Sequence, residues 1–268
     1  MLKINRIIWL IITIFTFVQL QSCDSAEAEE DEIEMEDEQE EEEEETTADN
    51  DISILAEKFY HSDALEVVIG DEFITITSSN QPDHESMYYP RTSSLYASYE
   101  EPDNPDFKKN PNEIEIQNHV YKIPRFPVEA SSKSTTPMGP MGVAVNSVAF
   151  LNQAAAPGDD ILEELNTFDQ YEGHPAQGGN YHYHIEPTWL TQSKLMTDSF
   201  LGLLLDGFPV YGPVENGVRL TNNDLDDYHG HVSATAEFPK GIYHYHVTDD
   251  LPWINGDGFF GTPGTISR

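Results

Sequence analysis

Two six-residue stretches of this 268-residue chain carry the same pattern of histidines and tyrosines. Residues 180–185 read Asn-Tyr-His-Tyr-His-Ile, and residues 242–247 read Ile-Tyr-His-Tyr-His-Val. Successive side chains of a β-strand point to opposite faces, so each copy should place both histidines on one face and both tyrosines on the other. Positions two residues apart on a strand are separated by about 6–7 Å, a span that one metal ion can bridge. Each stretch therefore predicts a pair of metal ligands, the alternative being hydrogen-bonded core histidines.

A Gly-His pair precedes each stretch and adds a third histidine to each half. His174 and His231 are 57 positions apart, and the paired histidines recur after 62 positions (182 to 244, and 184 to 246). Matching spacing of this kind predicts one unit used twice, with insertions or deletions between its landmarks. The predicted metal ligands are three histidines in each half: His174, His182, His184, His231, His244 and His246.

Neutral imidazole nitrogen suits zinc, copper, nickel and iron. The one cysteine of the chain is at position 23, far from these histidines, which excludes a structural zinc site built from cysteines. Copper or zinc is the expected ion. Because ligand imidazoles must be neutral, metal affinity is expected to fall as the pH drops through about 6.5. The sequence leaves open whether the two halves form one shared site or two.

Other side chains near the motifs are candidates for supporting roles. Additional ligands, groups that orient a ligand, or a general base are expected among His84, His229, Asp206, Asp227 and Glu172. For each acid the alternative is a solvated loop carboxylate. The four motif tyrosines are expected to line the site or to belong to the core: Tyr181, Tyr183, Tyr243 and Tyr245. No residue is assigned a catalytic role from the sequence.

A further landmark lies between the two histidine stretches, at residues 205–213, which read Leu-Asp-Gly-Phe-Pro-Val-Tyr-Gly-Pro. Together with the stretches and their Gly-His pairs, it resembles the YHYH protein family. The resemblance extends upstream through residues 81–84 and 110–114 and covers the chain from about residue 65 to its end. It implies no particular activity. Family members often carry cysteines beside the histidines, which this chain lacks, so a disulfide framework is not expected.

The N-terminal residues have the composition of a secretory signal. Two basic residues precede an apolar run at 7–18, which is too short to be expected as a membrane span. Cys23 ends this region, behind a leucine and a small serine, an arrangement that resembles a bacterial lipobox. We therefore expect removal of residues 1–22 and a lipid anchor on Cys23 that holds the protein to a membrane. The alternative is ordinary cleavage nearby, with Cys23 as a free thiol.

An acidic stretch follows, since residues 24–45 contain sixteen Asp or Glu and no Lys or Arg. A segment of this composition repels itself and has little apolar surface to bury, so residues 23–50 are expected to be a disordered linker. Acidic residues directly after a lipidated cysteine resemble the surface-export signals of bacterial lipoproteins. The expected location is the cell envelope, as a surface-exposed outer-membrane lipoprotein; alternatively the linker is only a spacer.

The remainder of the chain is acidic as well. Residues 46–268 carry 33 acidic and 11 basic residues, a net charge of −22. Such a charge disfavours binding to nucleic acid or to anionic membrane surfaces. No P-loop or dinucleotide-binding fingerprint is present either. A nucleic-acid partner is therefore not expected, and the sequence does not identify a small-molecule or glycan ligand.

Residues 51–268 are expected to form one all-β domain, sandwich-like or barrel-like, with half-repeats at about 139–198 and 199–268. β-Prone or apolar runs predict strands at 65–69, 73–77, 114–116, 119–121, 143–150 and 200–205. Helical spacing occurs in two short segments, 52–60 and 160–168. Five prolines between residues 78 and 113 predict a long ordered loop. The two histidine strands are expected to be neighbours whose histidine faces converge.

Three classes of function fit this pattern. The leading one is a cell-surface lipoprotein that binds a transition metal through its paired His-x-His strands. The second is a metalloenzyme at the same site, either a copper or iron oxidoreductase or a zinc-type hydrolase. The third is a module that binds glycan or protein through rows of tyrosine and histidine, which requires the tyrosines to face solvent.

Overall fold

The computed structural model describes residues 50–156, 159–256 and 258–268. All of them fall within one unit, Glu44–Arg268. The expected signal peptide, the expected lipidation site and all but the last residue of the expected acidic linker lie outside the described residues. Within these ranges, no helix is both long enough and apolar enough to cross a membrane.

Short strands dominate the described chain, which is all-β in class as predicted. The strands are β1 (Leu65–Ile69), β2 (Phe73–Ser78), β3 (His119–Pro124), β4 (Glu129–Ser134), β5 (Gly142–Ala144), β6 (Ala149–Phe150), β7 (Gly173–Pro175), β8 (Tyr181–Tyr183), β9 (Phe200–Leu204), β10 (Pro209–Tyr211), β11 (Val214–Glu215), β12 (Val218–Arg219), β13 (Gly230–Ser233), β14 (Ile242–His246), β15 (Phe259–Gly261) and β16 (Thr265–Ser267). The helical segments are α1 (Ile161–Glu164), the 3-10 helices Ile52–Lys58, Leu165–Thr167 and Asn222–Asp224, and a π-helical turn, Trp189–Ser193.

Aspartates start the two predicted helical segments. The side chain of Asp51 accepts a hydrogen bond from the backbone N–H of Ser53, and that of Asp160 accepts one from Leu162. Each satisfies an N–H group that lacks a partner in the first helical turn. Both segments end after little more than two turns, so they connect strands and build no helical layer.

β1 and β2 form the predicted hairpin, and β3 and β16 extend it to a four-stranded antiparallel sheet. Alternate residues of β2 are buried, so one face of this sheet packs on the core. The strand predicted at 114–116 is wrong. The backbone N–H groups of Ile114 and Glu115 donate to the carbonyls of Tyr88 and Gly179, which belong to two separate segments, so no ladder forms.

The predicted long loop between residues 78 and 113 is present and is held by buried tyrosines. Tyr88 is fully buried, and its hydroxyl donates to the carbonyl of Thr167 at 2.5 Å. The hydroxyl of Tyr89 donates to the carbonyl of Pro82 at 2.7 Å. Proline prevents a regular ladder here, and side-chain hydrogen bonds order the segment instead.

The largest sheet has eight strands in the order β7–β8–β6–β5–β9–β10–β14–β13 and is open at both edges. From either edge to the centre, the pairings are antiparallel, parallel and antiparallel. β5 and β9 meet antiparallel in the middle, where Val143 lies opposite Leu203, 60 positions later. The two halves of the sheet correspond strand for strand, which favours the interpretation that one unit is used twice.

The two histidine strands, β8 and β14, are not neighbours, because four other strands lie between them. Five steps of about 4.8 Å give a separation of roughly 24 Å along the sheet. The prediction of adjacent strands with converging histidine faces is therefore wrong. The halves meet at the apolar β5–β9 pair and not at the histidine strands, so two separate groups of histidines form.

The register of the ladders also fixes which face each motif residue occupies. Residues directly opposite each other on paired strands project from the same face of a sheet. Val143 and Leu203 are opposed and therefore share a face. The pairings from β5 through β6 and β8 to β7, and from β9 through β10 and β14 to β13, place all six motif histidines on that same face. The four motif tyrosines lie on the other face, as strand alternation predicts.

Candidate metal centres

The first cluster consists of Glu164, His174, His182 and His184, contributed by the end of α1, by β7 and by β8 with the residue that follows it. Nε2 of His182 lies 3.0 Å from Nε2 of His174 and 2.9 Å from Nε2 of His184. One carboxylate oxygen of Glu164 lies 3.5 Å from Nε2 of His174 and 3.6 Å from Nε2 of His184. The four donor atoms all lie within 4.8 Å of one another.

Backbone carbonyls hold the other ring nitrogen of two of these histidines. Nδ1 of His182 lies 2.9 Å from the carbonyl oxygen of Asn180, and Nδ1 of His184 lies 2.5 Å from that of Asn152. A carbonyl oxygen can only accept a hydrogen bond, so Nδ1 is the protonated nitrogen in both rings. The Nε2 atoms of these two histidines therefore carry a lone pair and no hydrogen.

A threonine does the same for the third histidine. The hydroxyl of Thr167 donates to the backbone carbonyl of Glu164 at 2.8 Å, and its oxygen lies 2.6 Å from Nδ1 of His174. Because the hydroxyl proton is already used, the oxygen accepts from Nδ1–H, which leaves Nε2 of His174 without a hydrogen. Thr167 thus ties the segment carrying Glu164 to the ring of His174.

Three nitrogen lone pairs consequently converge in the first cluster. The separations of 2.9 and 3.0 Å are of hydrogen-bond length, yet neither nitrogen of a pair has a hydrogen to donate. Like-signed lone pairs at this distance repel unless a cation lies among them. Nitrogen ligands about 2.0–2.1 Å from one tetrahedral ion are roughly 3.4 Å apart, close to the separations here. The residues of the first cluster fit a bound metal ion.

The second cluster consists of Glu215, His231, His244 and His246, contributed by β11, β13 and β14. One carboxylate oxygen of Glu215 lies 3.5 Å from Nε2 of His231 and 3.8 Å from Nε2 of His244. The ring centroids of the three histidines lie 4.8 to 5.1 Å apart. Among the described residues, the buried Nε2 atoms of His231 and His246 have no hydrogen-bond partner, so two polar nitrogens are left unsatisfied.

Carbonyls anchor two of the second cluster's rings at positions that match the first cluster. Nδ1 of His244 lies 2.9 Å from the carbonyl of Ile242, and Nδ1 of His246 lies 2.7 Å from that of Gly212. The third ring differs. The side chain of His231 is 24% exposed, and in the described part of the chain it meets Glu215 without any hydrogen bond to its ring. In the second cluster, therefore, hydrogen bonds at Nδ1 orient two of the three rings, whereas in the first cluster they orient all three.

Neither glutamate is among the residues predicted from the sequence. Glu164 precedes its Gly-His histidine by 10 positions and Glu215 precedes its own by 16, so the two acids fall out of the 57- to 62-position register of the histidines. Both nevertheless occupy the same connection of their half-sheets, after β6 and after β10. The one available signal for Glu164 was its place in the predicted helical segment at 160–168.

Burial keeps four of the six cluster imidazoles neutral. It is the main cause that lowers the pKa of His184, His244 and His246 to about 4, and neighbouring imidazoles add to the effect. Burial likewise holds the pKa of His182 well below its usual range. These rings therefore take up protons only in solution more acidic than pH 6.5, the pH near which the fall in metal affinity is expected from ordinary histidines.

The two glutamates are held in the charged form. Burial acts to raise the pKa of Glu164, but its interactions with His174 and His184, which apply when those imidazoles are protonated, outweigh burial, and the pKa is lowered. The pKa of Glu215 is lowered in the same way, by a hydrogen bond from Ser233 and by the imidazole charges, against the effect of burial. Each cluster therefore brings together three imidazole nitrogens and one carboxylate oxygen, a donor set suited to a divalent first-row metal.

The surroundings of the two clusters differ. All four residues of the first cluster line a cavity of about 670 Å³. The second cluster reaches a smaller cavity of about 370 Å³ through Glu215, His244 and His246. Phe168 lies against the first cluster, with its ring 4.7 Å from that of His174, whereas Tyr211 lies 5.0 Å from the ring of His244 in the second.

A comparison with protein-family models finds one match, the YHYH protein family, over residues 120–218 and 214–258. The chain belongs to the YHYH family. The matched residues include every member of both clusters. No curated protein and no solved structure matches the chain.

The motif tyrosines of this YHYH protein lie in the core and not on a cavity wall. All four are at most 5% exposed. Their hydroxyls have fixed partners: Tyr181 donates to Asp169, Tyr243 to Asp226 and Tyr245 to Asp206, and Tyr183 accepts from Asn146. The solvent-facing row of tyrosines that an adhesion module requires is absent among these described residues.

The same tyrosines explain the glycine of each Gly-His landmark. A Cβ atom on Gly173 would lie 2.4 Å from the hydroxyl oxygen of Tyr181, and one on Gly230 would lie 2.5 Å from that of Tyr243. Only glycine leaves room for these rings across the β7–β8 and β13–β14 ladders. The YHYH motif thus combines a face whose histidines converge with a face whose tyrosines pack against glycine.

Of the candidates for supporting roles, His229 lies nearest a cluster. Its Nδ1 donates to the backbone carbonyl of His246 at 2.9 Å, so it holds the backbone of a second-cluster residue and does not contact the converging donors themselves. His84 lies elsewhere, among the rings of Tyr171, Tyr181 and Trp189 at 4.5 to 5.6 Å. It belongs to the core that packs on the sheet face occupied by the motif tyrosines.

The three candidate acids also lie outside both clusters. Asp206 is fully buried and accepts the hydroxyl hydrogen of Tyr245 at 2.6 Å, and burial raises its pKa to about 6. Burial, with the charges of nearby carboxylates, raises the pKa of Glu172 to about 7. Asp227 is exposed. None of these acids is a member of either group of converging donors.

Proposed function

We propose that this YHYH domain binds two first-row transition-metal ions, one at each cluster of three histidines and a glutamate. The observation that carries the proposal is the convergence of Nε2 lone pairs whose rings are locked in one tautomer by hydrogen bonds at Nδ1. Buried nitrogens without partners in the second cluster support it independently. Such groups cost free energy in a metal-free protein, roughly 1–3 kcal/mol each, and a metal ion would remove that cost.

Copper and zinc are the favoured ions. Three imidazoles and one carboxylate satisfy a four-coordinate zinc ion, and they also suit copper, for which imidazole is a preferred ligand. The glutamate charge leaves a bound divalent ion with a net charge of about +1 in each cluster. Neither cluster includes a cysteine among the described residues.

A metalloenzyme at the first cluster is the second candidate function. The observation in its favour is the cavity of about 670 Å³, which borders all four ligands and has the size of a small-molecule site. A metal ion there would supply Lewis-acid or redox chemistry, as in a zinc-type hydrolase or a copper or iron oxidoreductase. The chain's own contribution would be to orient three imidazoles through Thr167 and the carbonyls of Asn152 and Asn180.

The cell surface is the proposed location, with a lipid on Cys23 as the anchor and residues 24–45 as a spacer. The sequence pattern alone supports this part of the proposal, since these residues lie outside the described ones. Substituting Cys23→Ala should release the protein from membranes into the soluble fraction. Retention of that variant in membranes would contradict lipid anchoring.

Elemental analysis of the protein purified without an affinity tag tests the metal proposal. Two equivalents of metal per chain are expected. Adding zinc or copper to chelator-treated protein should raise its melting temperature, since binding only to the native state contributes about 2.7 kcal/mol at one hundred times the dissociation constant. Substituting His182, His184, His244 and His246 together by alanine should abolish the rise, whereas His61→Ala, outside both clusters, should keep it.

A folded protein that retains no metal and shows no thermal shift with any first-row divalent ion would overturn the proposal. The six histidines would then be core residues whose unpaired nitrogens need another explanation.

A further inference from the structure

One of the six cluster histidines reaches solvent. The side chain of His231, in the second cluster, is 24% exposed, whereas the other five cluster histidines are buried. Nε2 of His231 is nevertheless buried and lies 3.5 Å from a carboxylate oxygen of Glu215. The exposed part of this side chain therefore lies away from the converging donor atoms.

His231 is also the cluster histidine whose ring no hydrogen bond orients in the described part of the chain. The rings of His244 and His246 are held by the carbonyls of Ile242 and Gly212, at 2.9 and 2.7 Å. To leave a bound metal ion, either of these rings would have to break that hydrogen bond, whereas His231 would break none. Its partial exposure also lets water hydrate the released imidazole.

A cavity of about 370 Å³ reaches the second cluster from another side. Glu215, His244 and His246 line it, and His231 is not among its described lining residues. Its volume is at the lower end of the range for small-molecule sites. A donor atom can therefore approach a bound metal ion through this cavity while His231 leaves toward solvent.

The charge of this cavity selects among incoming ligands. Asp198 and Glu215 line it, and no lysine or arginine does so among the described residues. A polycarboxylate chelator would be repelled here, whereas an amino acid without net charge would not be. An imidazole nitrogen also matches the donor that it would replace.

We propose that the second cluster exchanges its metal ion with small imidazole-bearing chelators of no net charge, of which free histidine is the simplest. The imidazole nitrogen of the chelator forms a bond to the metal ion as the bond from Nε2 of His231 breaks, and no electron is transferred. The amine of the chelator then loses its proton to water and becomes a second donor, and the remaining protein ligands leave. The inference rests on the proposed metal binding, and it assigns transfer of the ion to the second cluster and retention to the first.

The first cluster has the access but not the leaving ligand. Its cavity of about 670 Å³ borders all four of its residues. All three of its rings are buried and are oriented at Nδ1, by Thr167 and by the carbonyls of Asn152 and Asn180. Spontaneous loss of a ligand should therefore limit metal release there, at a rate that the concentration of a chelator does not change.

Cobalt(II) gives a direct readout, because its visible absorption depends on its ligands. The full chain carrying His182→Ala and His184→Ala confines cobalt to the second cluster, and the chain carrying His244→Ala and His246→Ala confines it to the first. Each is mixed with rising concentrations of free histidine in a stopped-flow instrument. At the second cluster the release rate should rise in proportion to histidine and exceed that at the first by at least roughly tenfold, since no hydrogen bond to the leaving ring has to break.

Two pairs of variants assign the effect to anchoring and to charge. Thr167→Val removes the anchor of His174 and should make release from the first cluster depend on histidine concentration, whereas Thr167→Ser should not. At the second cluster, Asp198→Asn should raise the release rate with citrate and leave the rate with histidine unchanged. Asp198→Glu retains the charge and should leave both rates unchanged.

The outcomes separate the two proposals. Failure to take up cobalt at the second cluster contradicts metal binding there and removes the exchange step with it. Cobalt uptake followed by release that is independent of histidine concentration, or that depends on it equally at both clusters, overturns the exchange proposal alone. So does a Thr167→Val chain whose release stays insensitive to histidine, or an Asp198→Asn chain whose release with citrate is unchanged. If a double-alanine variant does not fold, the wild-type chain loaded with two cobalt ions should release them in two phases, of which only the faster depends on histidine concentration.

Discussion

The two clusters have the same ligand set and unequal surroundings. Each has three histidines from two adjacent antiparallel strands and one glutamate from the preceding connection. The first has all three rings anchored and borders the larger cavity, whereas the second has one partly exposed histidine without an anchor and borders the smaller cavity. Corresponding strands determine which donors converge, and the loops that differ between the halves determine what can reach them.

Removing one cluster at a time should show the largest effect. The pair His182→Ala and His184→Ala should lower the metal content from two equivalents to one, and so should the pair His244→Ala and His246→Ala. About 24 Å of sheet separates the clusters, so each loss should leave the affinity of the other unchanged. Metal analysis of both variants measures this. Loss of both equivalents in either variant would show that the clusters form one interdependent site.

Acid should destabilise the metal-free protein within a defined window. The unfolded chain takes up protons below the ordinary histidine pKa of 6.5, while burial keeps His184, His244 and His246 neutral down to about pH 4. Unfolded chains therefore bind more protons across this window, and the free energy of unfolding falls as the pH drops from 6.5 to about 4. Each such histidine contributes a loss on the order of 3 kcal/mol.

Denaturant titrations between pH 7.5 and pH 4 measure this loss, with the two double-alanine variants as controls. Each variant removes two imidazoles, so its stability should depend less steeply on pH than that of the wild type. Saturating metal should protect the wild type across most of the window. Equal pH dependence in wild type and variants would contradict the view that the cluster histidines are buried in the neutral form.

Both glutamates should contribute to metal affinity, and the difference between the clusters predicts which of them contributes more. Glu164→Gln and Glu215→Gln each remove the negative charge and weaken metal binding, by roughly tenfold to a hundredfold. The larger loss is expected for Glu215→Gln, because the second cluster has one ring without an anchor and relies more on its carboxylate. Competition against a chelator of known affinity gives both values. An unchanged affinity in either variant would remove that glutamate from the ligand set.

Thr167 provides the smallest and most specific test. Thr167→Val keeps the shape but removes the oxygen that accepts from Nδ1–H of His174, so affinity at the first cluster should fall by roughly tenfold. The second cluster should not change. Thr167→Ser retains the hydroxyl and should restore affinity. Nitrogen chemical shifts of His174 report its tautomer, which should become mixed in the valine variant and stay fixed in the serine variant.

The sequence predicted which histidines share a face because strand alternation and spacing are local properties. Two histidines separated by one tyrosine share a face whenever the segment is extended, and the Gly-His pair could be matched between halves by its offset. The β1–β2 hairpin and the long proline-containing loop were predictable for the same reason. Each depends on residues close together in the chain.

What the sequence could not predict depends on how the halves meet. An offset of about 60 positions is consistent with any arrangement of two corresponding units, and nothing in the apolar residues Val143 and Leu203 marks them as the central pair. The glutamates were missed because the connections that carry them differ in length. The strand expected at 114–116 failed because its backbone partners, Tyr88 and Gly179, come from two distant segments.

A competition titration of the metal-free wild-type chain with zinc, against a chromophoric chelator, tests the central claim most directly. Two equivalents should bind in two resolved steps, the tighter one lost with His182→Ala and His184→Ala and the weaker one lost with His244→Ala and His246→Ala. This order follows from the complete anchoring of the first cluster. One equivalent in total, or two steps that both survive either pair of substitutions, would contradict two separate three-histidine, one-glutamate sites.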